Sequence, residues 1–226
     1  MLSDRSNQRI YVETTVRGDM ATLWARSQDP RQHQRWDLRF TTIEPAGPGR
    51  FRYAVRVLPG VEISGTGTHG GERHRPDGSA TSVLRFGSLH PLSLLRGGSG
   101  FWRYIPSSRK ADESVRFLTG YDYEVRWGIA GRAADRVFRP LMGWGTAWSF
   151  DRLRLWVERG ITPEQALRNA LADAGVRVAA VGVAAARCGR VAAVATALVA
   201  LLLPPSPSTP AARRCMRRPP KDRSAR

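Results

Sequence analysis

The stretch that decides the fold is residues 131–160, GRAADRVFRPLMGWGTAWSFDRLRLWVERG. Apolar residues recur in it at steps of three, four and seven, which is the spacing of one face of an α-helix. The residues on this face are Val137, Leu141, Trp144, Trp148 and Leu155. Pro140 is tolerated as the first residue of a helical run, so the helix can be entered through a kink, and Gly160 ends it. We therefore predict one long helix whose wide apolar stripe packs against a large surface.

The residues before this helix show the two-residue alternation of β-strands. The first alternating segment, residues 9–17, is followed by two short helical segments that begin after the N-cap residues Asp19 and Asp29. Further strands are predicted at residues 38–44, 50–58, 61–69, 80–88, 101–105 and 114–127, and the Gly-rich segment 90–100 is predicted to be irregular. Short turns join these strands, which favours an antiparallel sheet. The order is strand, two short helices, about six strands and one long helix, an α+β arrangement.

This order resembles the helix-grip fold of the START-like, or SRPBCC, superfamily, which includes polyketide cyclases, lipid-transfer domains and pollen-allergen-like proteins. The resemblance covers residues 8–160 and rests on the element order, the opening strand IYVETTV, Trp36 after the helix pair, and the closing segment FRPLMGWGTAWSFDRLRLWVE. None of these features is a catalytic motif, so the resemblance implies the fold more specifically than the function. It implies a curved antiparallel sheet wrapped around the long helix, with an apolar cavity between them.

Aromatic side chains from several elements are predicted to converge between the sheet and the long helix. Apolar walls with a few hydroxyl groups are typical of a small-molecule site, although the same side chains could simply fill the core. His69 is the one titratable side chain that we place on the inward positions of its strand, as a candidate for polar contact or acid–base chemistry. The predicted ligand-binding residues are Trp36, Tyr53, His69, Phe117, Tyr121, Tyr123, Trp144 and Trp148.

Sequence motifs of other functional classes are missing. His69 and His74 lack the spacing and the neighbouring cysteines of a metal site, so we predict neither a metal nor a cofactor. His33 and His90 stand alone in the sequence and are given no role. There is no Gly-x-Ser-x-Gly elbow, and the glycine run at residues 97–100 is not a phosphate-binding loop. No catalytic residue is therefore predicted.

Three classes of function compete on these observations. The leading hypothesis is that the cavity binds a hydrophobic or amphipathic small molecule of lipid or polyketide-like character. The alternative is an enzyme of the cyclase or dehydratase type that uses the same cavity, with His69 and Tyr121 as its polar groups. A net charge of +17 raises nucleic acid as a third partner. The arginines are scattered without a recognised reader motif, so we disfavour nucleic acid.

Residues 161–226 do not belong to the pattern of the domain. We predict a helical, partly apolar extension at residues 161–203 and a basic, disordered tail at residues 204–226. The apolar run at 191–203 has 13 residues, fewer than the ~20 that a membrane-spanning helix needs. Extending it back to Val178 would include Arg187 and Arg190, each costing about 2.5–3.5 kcal/mol near the bilayer centre.

The tail also bears on the orientation of the chain. After Pro204 it carries seven basic residues and one acidic residue, net +6, and should stay in the cytoplasm. A single span would then place the domain outside, although the start of the sequence has no apolar run of a secretory signal. We therefore expect a cytoplasmic protein that associates with the inner face of an anionic membrane through residues 163–226. A single span and a soluble hairpin packed on the domain remain the alternatives.

Overall fold

The computed structural model describes residues 9–108 and 113–220, in which seven strands form one antiparallel sheet. The strands are β1 (Ile10–Arg17), β2 (Thr42–Pro45), β3 (Arg50–Leu58), β4 (Val61–His74), β5 (Ala80–Gly87), β6 (Leu95–Pro106) and β7 (Ser114–Val125). The helices are α1 (Met20–Gln28), α2 (Pro30–Trp36), α3 (Gly128–Arg159), α4 (Pro163–Cys188) and α5 (Arg190–Leu202), followed by a 3₁₀ turn at Ala212–Arg214. The order in the sheet is β1-β7-β6-β5-β4-β3-β2. This confirms the predicted α+β fold class.

The main core lies between β1, β7 and the second half of α3. The alternating residues Val12 and Val16 of β1 are buried, and β7 pairs with β1 so that Phe117 lies opposite Thr14. Phe150 of α3 stacks on Phe117 with the ring centroids 4.4 Å apart. Because side chains in a strand alternate between faces, this pairing directs one face of the sheet onto the long helix.

The first half of α3 differs from the prediction. Val137, Leu141 and Trp144 are exposed, at 66%, 58% and 45%, so the prediction that this part of the apolar face packs is wrong. The helix has 32 residues and is about 48 Å long, and apart from Gly131 its fully buried residues lie in the second half, from Gly145 onward. In the first half the neighbouring row, represented by Phe138, packs on the sheet instead.

Residues 95–100 form part of β6 rather than the predicted irregular segment. Gly98 lies under the ring of Phe86, where a Cβ atom would be 2.7 Å from Cζ. A Cβ atom at Gly100 would be 2.6 Å from Cβ of Tyr121. Glycine at these positions therefore lets aromatic side chains of the neighbouring strands cross β6, and the segment keeps its strand pairing.

Helices α4 and α5 form a hairpin outside the domain core. The start of α4 is attached to the domain, because Pro163 and Ala166 are buried and Arg152 donates from Nε to the carbonyl oxygen of Pro163 at 2.8 Å. Beyond this root, α5 packs back on α4 and has no buried residue. By length and composition α4 is apolar enough to cross a membrane, with a mean hydropathy of 1.3, and α5 is a shorter apolar helix.

The segment after the hairpin folds back onto the domain, in contrast to the disordered tail predicted from residue 204. Thr209, Ala212 and Cys215 are buried, and the backbone of Met216 pairs with that of Glu13 in β1. The basic composition predicted disorder, but the buried carboxylate of Asp151 in α3 provides a partner that composition cannot show. Residues 221–226 of the predicted tail lie outside the described residues.

Candidate ligand-binding cavity

A cavity of about 350 Å³ lies between the sheet, the α1–α2 pair and the first half of α3. Its walls are mostly aliphatic and aromatic, and this size and character are typical of small-molecule sites. The apolar lining residues include Phe40, Ile43, Phe51, Val55, Val57, Ile63, Leu84, Phe86, Leu92, Leu94, Leu95, Phe101, Trp102, Phe138 and Met142. The cavity can therefore remove a largely apolar molecule from water.

Two glycines of β4 position the aromatic wall. Gly65 is paired with Tyr53 and Gly67 with Phe51, and a Cβ atom at either glycine would overlap the partner's ring. The rings can therefore lie across β4. The Tyr53 hydroxyl donates to the carbonyl oxygen of Gly87 at 3.2 Å, and burial raises the pKa of Tyr53 to about 12. Tyr53 thus presents an un-ionised ring whose hydroxyl is engaged by the backbone.

Three polar residues form a connected cluster in the cavity wall. The buried carboxylate of Asp37 accepts hydrogen bonds from Arg39 Nη2 at 2.6 Å and from Arg39 Nε at 2.9 Å. Its Oδ2 is also 3.0 Å from Nε2 of His33. The Arg39 guanidinium carbon lies 5.3 Å from the ring centroid of Tyr121. His33 and Arg39 line the cavity, while Asp37 lies behind them.

The protonation states of this cluster follow from burial and from its internal charges. Burial disfavours the carboxylate of Asp37, but the charge of Arg39 and the hydrogen bonds outweigh it and hold the pKa of Asp37 well below its usual range. Burial likewise opposes the charge of Arg39, yet Asp37 raises the pKa of Arg39 above its usual value. Burial lowers the pKa of His33 despite Asp37. At neutral pH the cluster therefore contains a carboxylate, a guanidinium and a neutral imidazole.

A second polar group of side chains reaches the cavity from α1 and β5. The Tyr104 hydroxyl lies 2.7 Å from Ser27 Oγ and accepts a hydrogen bond from Gln28 Nε2 at 2.9 Å. Gln28 Oε1 accepts from Ser82 Oγ at 3.3 Å. These groups satisfy one another, so the sites most open to a ligand are at the His33 end.

A bacterial protein is similar to this chain in sequence. No family model matches the chain. It is 45% identical over 168 residues to a protein of Bacillus subtilis (strain 168) named "Uncharacterized membrane protein YndG". The aligned part covers 72% of this chain and 62% of the relative, so the chain spans less than two thirds of the relative's length.

Two solved structures are similar at low sequence identity. A protein from Arthrobacter aurescens superposes with a TM-score of 0.51 at 15% identity, covering 71% of this chain and 92% of that one. The chain has a helix-grip fold. The di-domain ARO/CYC StfQ from the steffimycin biosynthetic pathway superposes with a TM-score of 0.49 at 13% identity, covering 70% of this chain and 53% of that one.

The cavity contains three of the eight residues predicted to bind a ligand, namely Tyr53, His69 and Tyr121. Trp36 and Phe117 are fully buried in the core and do not line the cavity. The other three lie elsewhere: Tyr123 donates its hydroxyl to Asp135, Trp144 is exposed, and Trp148 packs beside Arg152. The alternation of side chains along the strands identified the aromatic residues that point inward. It could not distinguish those that line the cavity from those that are packed in the core. Ligand binding by the three cavity residues stays a prediction.

Sequence reasoning missed His33 and Arg39. The spacing of His33 and Asp37, four residues apart at the end of a short helix, was an available signal for a side-chain pair. Arg39 follows the turn at Asp37, which shortens the predicted strand at 38–44 to β2. Among residues 9–108 and 113–220, no group of three or more His, Cys, Asp or Glu side chains could hold a metal ion.

Proposed function

We propose that this protein binds a hydrophobic or amphipathic small molecule, of lipid or polyketide-like character, in the cavity between sheet and α3. The observation that supports the proposal is the largely apolar lining of this cavity, with the ion pair of Arg39 and Asp37 at its wall. Each 100 Å² of apolar ligand surface removed from water there would contribute about 2.5 kcal/mol. Tyr53, His69 and Tyr121 are the residues predicted earlier that we expect to contact the ligand.

The test identifies what co-purifies with the full chain expressed in its own host. Native mass spectrometry should show a bound mass, which organic extraction then identifies. Val55→Trp adds a large ring to the cavity wall, and Leu141→Trp adds the same ring to the exposed face of α3 as the matched control. We expect the bound mass with the wild type and Leu141→Trp, and its loss with Val55→Trp. Only apo mass, with no thermal shift across a panel of lipids, would refute ligand binding.

A cyclase or dehydratase reaction in the same cavity is the second candidate. The observation that favours it is an imidazole held by Asp37 beside the Arg39 guanidinium, which pairs a proton acceptor with a cation that could stabilise an enolate. A synthetic poly-β-ketone is the substrate for the test. Turnover that falls in His33→Gln while binding persists would support catalysis, whereas unchanged turnover in His33→Gln, His69→Ala and Tyr121→Phe would exclude the proposed residues.

We further propose that the α4–α5 hairpin associates peripherally with a membrane. The residues of α5 that pack on α4 are small, whereas its large aliphatic residues point outward. The half-buried residues of α5 are Ala192, Ala193, Thr196, Ala197 and Ala200, and the exposed ones include Val191, Val194, Leu198, Val199, Leu201 and Leu202. Soluble helix pairs bury their large side chains, while helix pairs in lipid pack through small residues. This arrangement, together with the name of the Bacillus subtilis relative, supports a lipid environment.

The geometry of the hairpin favours association with one leaflet over a complete crossing. Both ends of the hairpin are attached to the domain, at Pro163 and at the segment that ends in Met216. Helix α5 has 13 residues and is about 20 Å long, less than the ~30 Å of the hydrocarbon core. The tip carries Arg187 and Arg190, which are best placed at anionic headgroups. We place this contact on the cytoplasmic face.

Vesicles containing 30% phosphatidylglycerol test the membrane proposal. We expect the full chain to sediment with them and to be released by high salt or carbonate. Leu198→Glu with Leu202→Glu should abolish binding, and Val137→Glu with Leu141→Glu on exposed α3 is the matched control. The exposed thiol of Cys188 lies at the tip, so it can carry an environment-sensitive fluorophore. Labelling only from the vesicle lumen would show a crossing hairpin and refute the peripheral arrangement, and a chain that stays in solution would refute membrane binding.

A further inference from the structure

We infer that the His33 end of the cavity binds an apolar molecule that carries one weakly acidic oxygen group, such as a carboxylic acid or an enol, and that His33 takes up one proton with it. The inference rests on the proposed ligand binding and names the chemical class of the ligand. It comes from the hydrogen bonds and the charge balance of His33, Asp37 and Arg39.

The ring of His33 is fixed by its neighbours and offers one nitrogen. It stacks on Trp36 with centroids 4.8 Å apart, and it meets Trp102 edge-on at the same distance. His33 is 7% exposed, and Nε2 is occupied by the ionised Asp37. In the neutral ring Nε2 is therefore the donor and Nδ1 the acceptor. Nδ1 makes no hydrogen bond to any residue that the structure describes, so it is available to a donor in the cavity.

Arg39 provides the complementary donor. Its Nε and Nη2 bind Asp37, and the guanidinium borders Tyr121, whose hydroxyl lies 2.8 Å from Thr146 Oγ1. A guanidinium has five N–H donors, more than Asp37 uses. A carboxyl group can therefore accept from Arg39 with one oxygen while its other oxygen shares a proton with Nδ1 of His33.

The charge balance of the site explains why a proton is taken up together with the ligand. Asp37 and Arg39 cancel, and His33 is neutral, so an incoming carboxylate would leave one uncompensated negative charge in an apolar cavity, which is costly. One proton on His33 restores neutrality. The charged and titratable groups that act on His33 are Asp37 and Arg39 from the adjoining segment and His69 from β4. The proton can be supplied by the buffer, and no bond to carbon changes.

Decanoate and 1-decanol are the probes, because they share an apolar chain and differ in the acidic group. Above about pH 6.5 free decanoate is ionised and free His33 is neutral, so uptake of one proton makes the Kd of decanoate rise about tenfold per pH unit. The Kd of 1-decanol should be constant between pH 6.5 and 8.5. The ¹⁵N resonances of the His33 ring in the wild type should move to imidazolium values with decanoate only. A Kd of decanoate that does not change with pH would overturn the inference.

His33→Gln and the matched control His74→Gln, at an exposed histidine that does not line the cavity, assign the proton. We expect His33→Gln to weaken decanoate binding at least tenfold at pH 7 and to lose the pH dependence, with 1-decanol binding kept as proof of folding. His74→Gln should keep both the affinity for decanoate and its pH dependence. If the Kd of decanoate still rises with pH in His33→Gln, the assignment of the proton to His33 is overturned. Binding of 1-decanol without decanoate would overturn only this inference, whereas failure of both probes would count against the cavity as a ligand site and remove the inference with it.

Discussion

Substituting Asp151 by asparagine should release the segment after the hairpin from the domain. Asp151 lies in α3 with no exposed surface. Its Oδ2 accepts from the backbone N–H of Ala211 at 2.8 Å and from Nη1 of Arg214 at 2.9 Å, and its Oδ1 accepts from Nε of Arg154 at 2.7 Å. One carboxylate therefore holds two arginines and the returning backbone. The asparagine has the same shape but turns an N–H₂ group toward these donors.

The magnitude follows from how buried each partner is. Removing one partner of a buried ion pair costs about 3–5 kcal/mol. The guanidinium of Arg154 keeps its bond to Glu158, and the Arg214 side chain is 26% exposed and keeps carbonyl partners, so we expect about 2–3 kcal/mol. For a domain of this size that loss lowers Tm by about 4–12 °C. The matched control is Glu164→Gln, which removes an exposed pair with Arg35 and should cost less than about 1 kcal/mol.

Cys215 reports the release directly. Its thiol is buried against the carbonyl oxygen of Ala147, and burial raises the pKa of Cys215 to about 12, so it should react slowly with a disulfide reagent at pH 8. Cys188 is exposed and is replaced by serine in every variant so that one thiol remains. We expect Cys215 to react faster in Asp151→Asn at temperatures well below Tm. Equal stability of Asp151→Asn and Glu164→Gln, with Cys215 still protected, would refute the argument.

Two further substitutions test other parts of the structure. Gly65→Val forces the Tyr53 ring off β4 and should cost about 1–3 kcal/mol, while Gly182→Ala, in open space on α4, should stabilise the helix by up to about 1 kcal/mol in a thermal unfolding assay. Hydrogen bonds from Arg35 lower the pKa of Glu164 to about 2, so the small stability this pair gives is present above pH 4.5 and is lost as the pH falls toward 2. Urea midpoints of the wild type and Glu164→Gln should therefore differ slightly at pH 7 and converge at pH 2, and a difference that grows in acid would contradict this assignment.

Most of the fold could be predicted from local patterns in the sequence. Alternation in β1, β3 and β7 and the N-caps Asp19 and Asp29 reflect contacts within a few residues, and the structure has these elements where expected. The glycines of β6 could not be interpreted from the local sequence, because the space they leave is occupied by aromatic residues of the neighbouring strands. The exposed face of α3 was misjudged for a related reason: periodicity shows that a face is apolar but not how far along the helix the sheet extends.

The candidate site was predictable only in part. Tyr53 and Tyr121 follow from strand parity, since inward positions of an antiparallel sheet must line whatever lies inside it. The His33–Asp37–Arg39 cluster depends on a turn after α2 that brings these three polar residues together at the wall of the cavity. In the sequence, each of them alone resembles a surface residue. A buried carboxylate in a short polar segment is visible only once the packing is known.

Helix α3 connects the two regions for which function is proposed. Its first half carries Phe138 and Met142 in the cavity wall, and its second half carries Asp151, which holds the segment that returns from the hairpin. Large side chains such as Phe117 and Phe150 are buried in the core of the domain, whereas the large aliphatic side chains of α5 are exposed, so the two parts are built for different surroundings. If the hairpin lies in lipid as proposed, its two attachments restrict how the domain can turn against the membrane. Detaching one of them with Asp151→Asn should then leave vesicle binding intact, because the apolar residues of α5 are unchanged, while loosening the orientation of the cavity relative to the lipid surface.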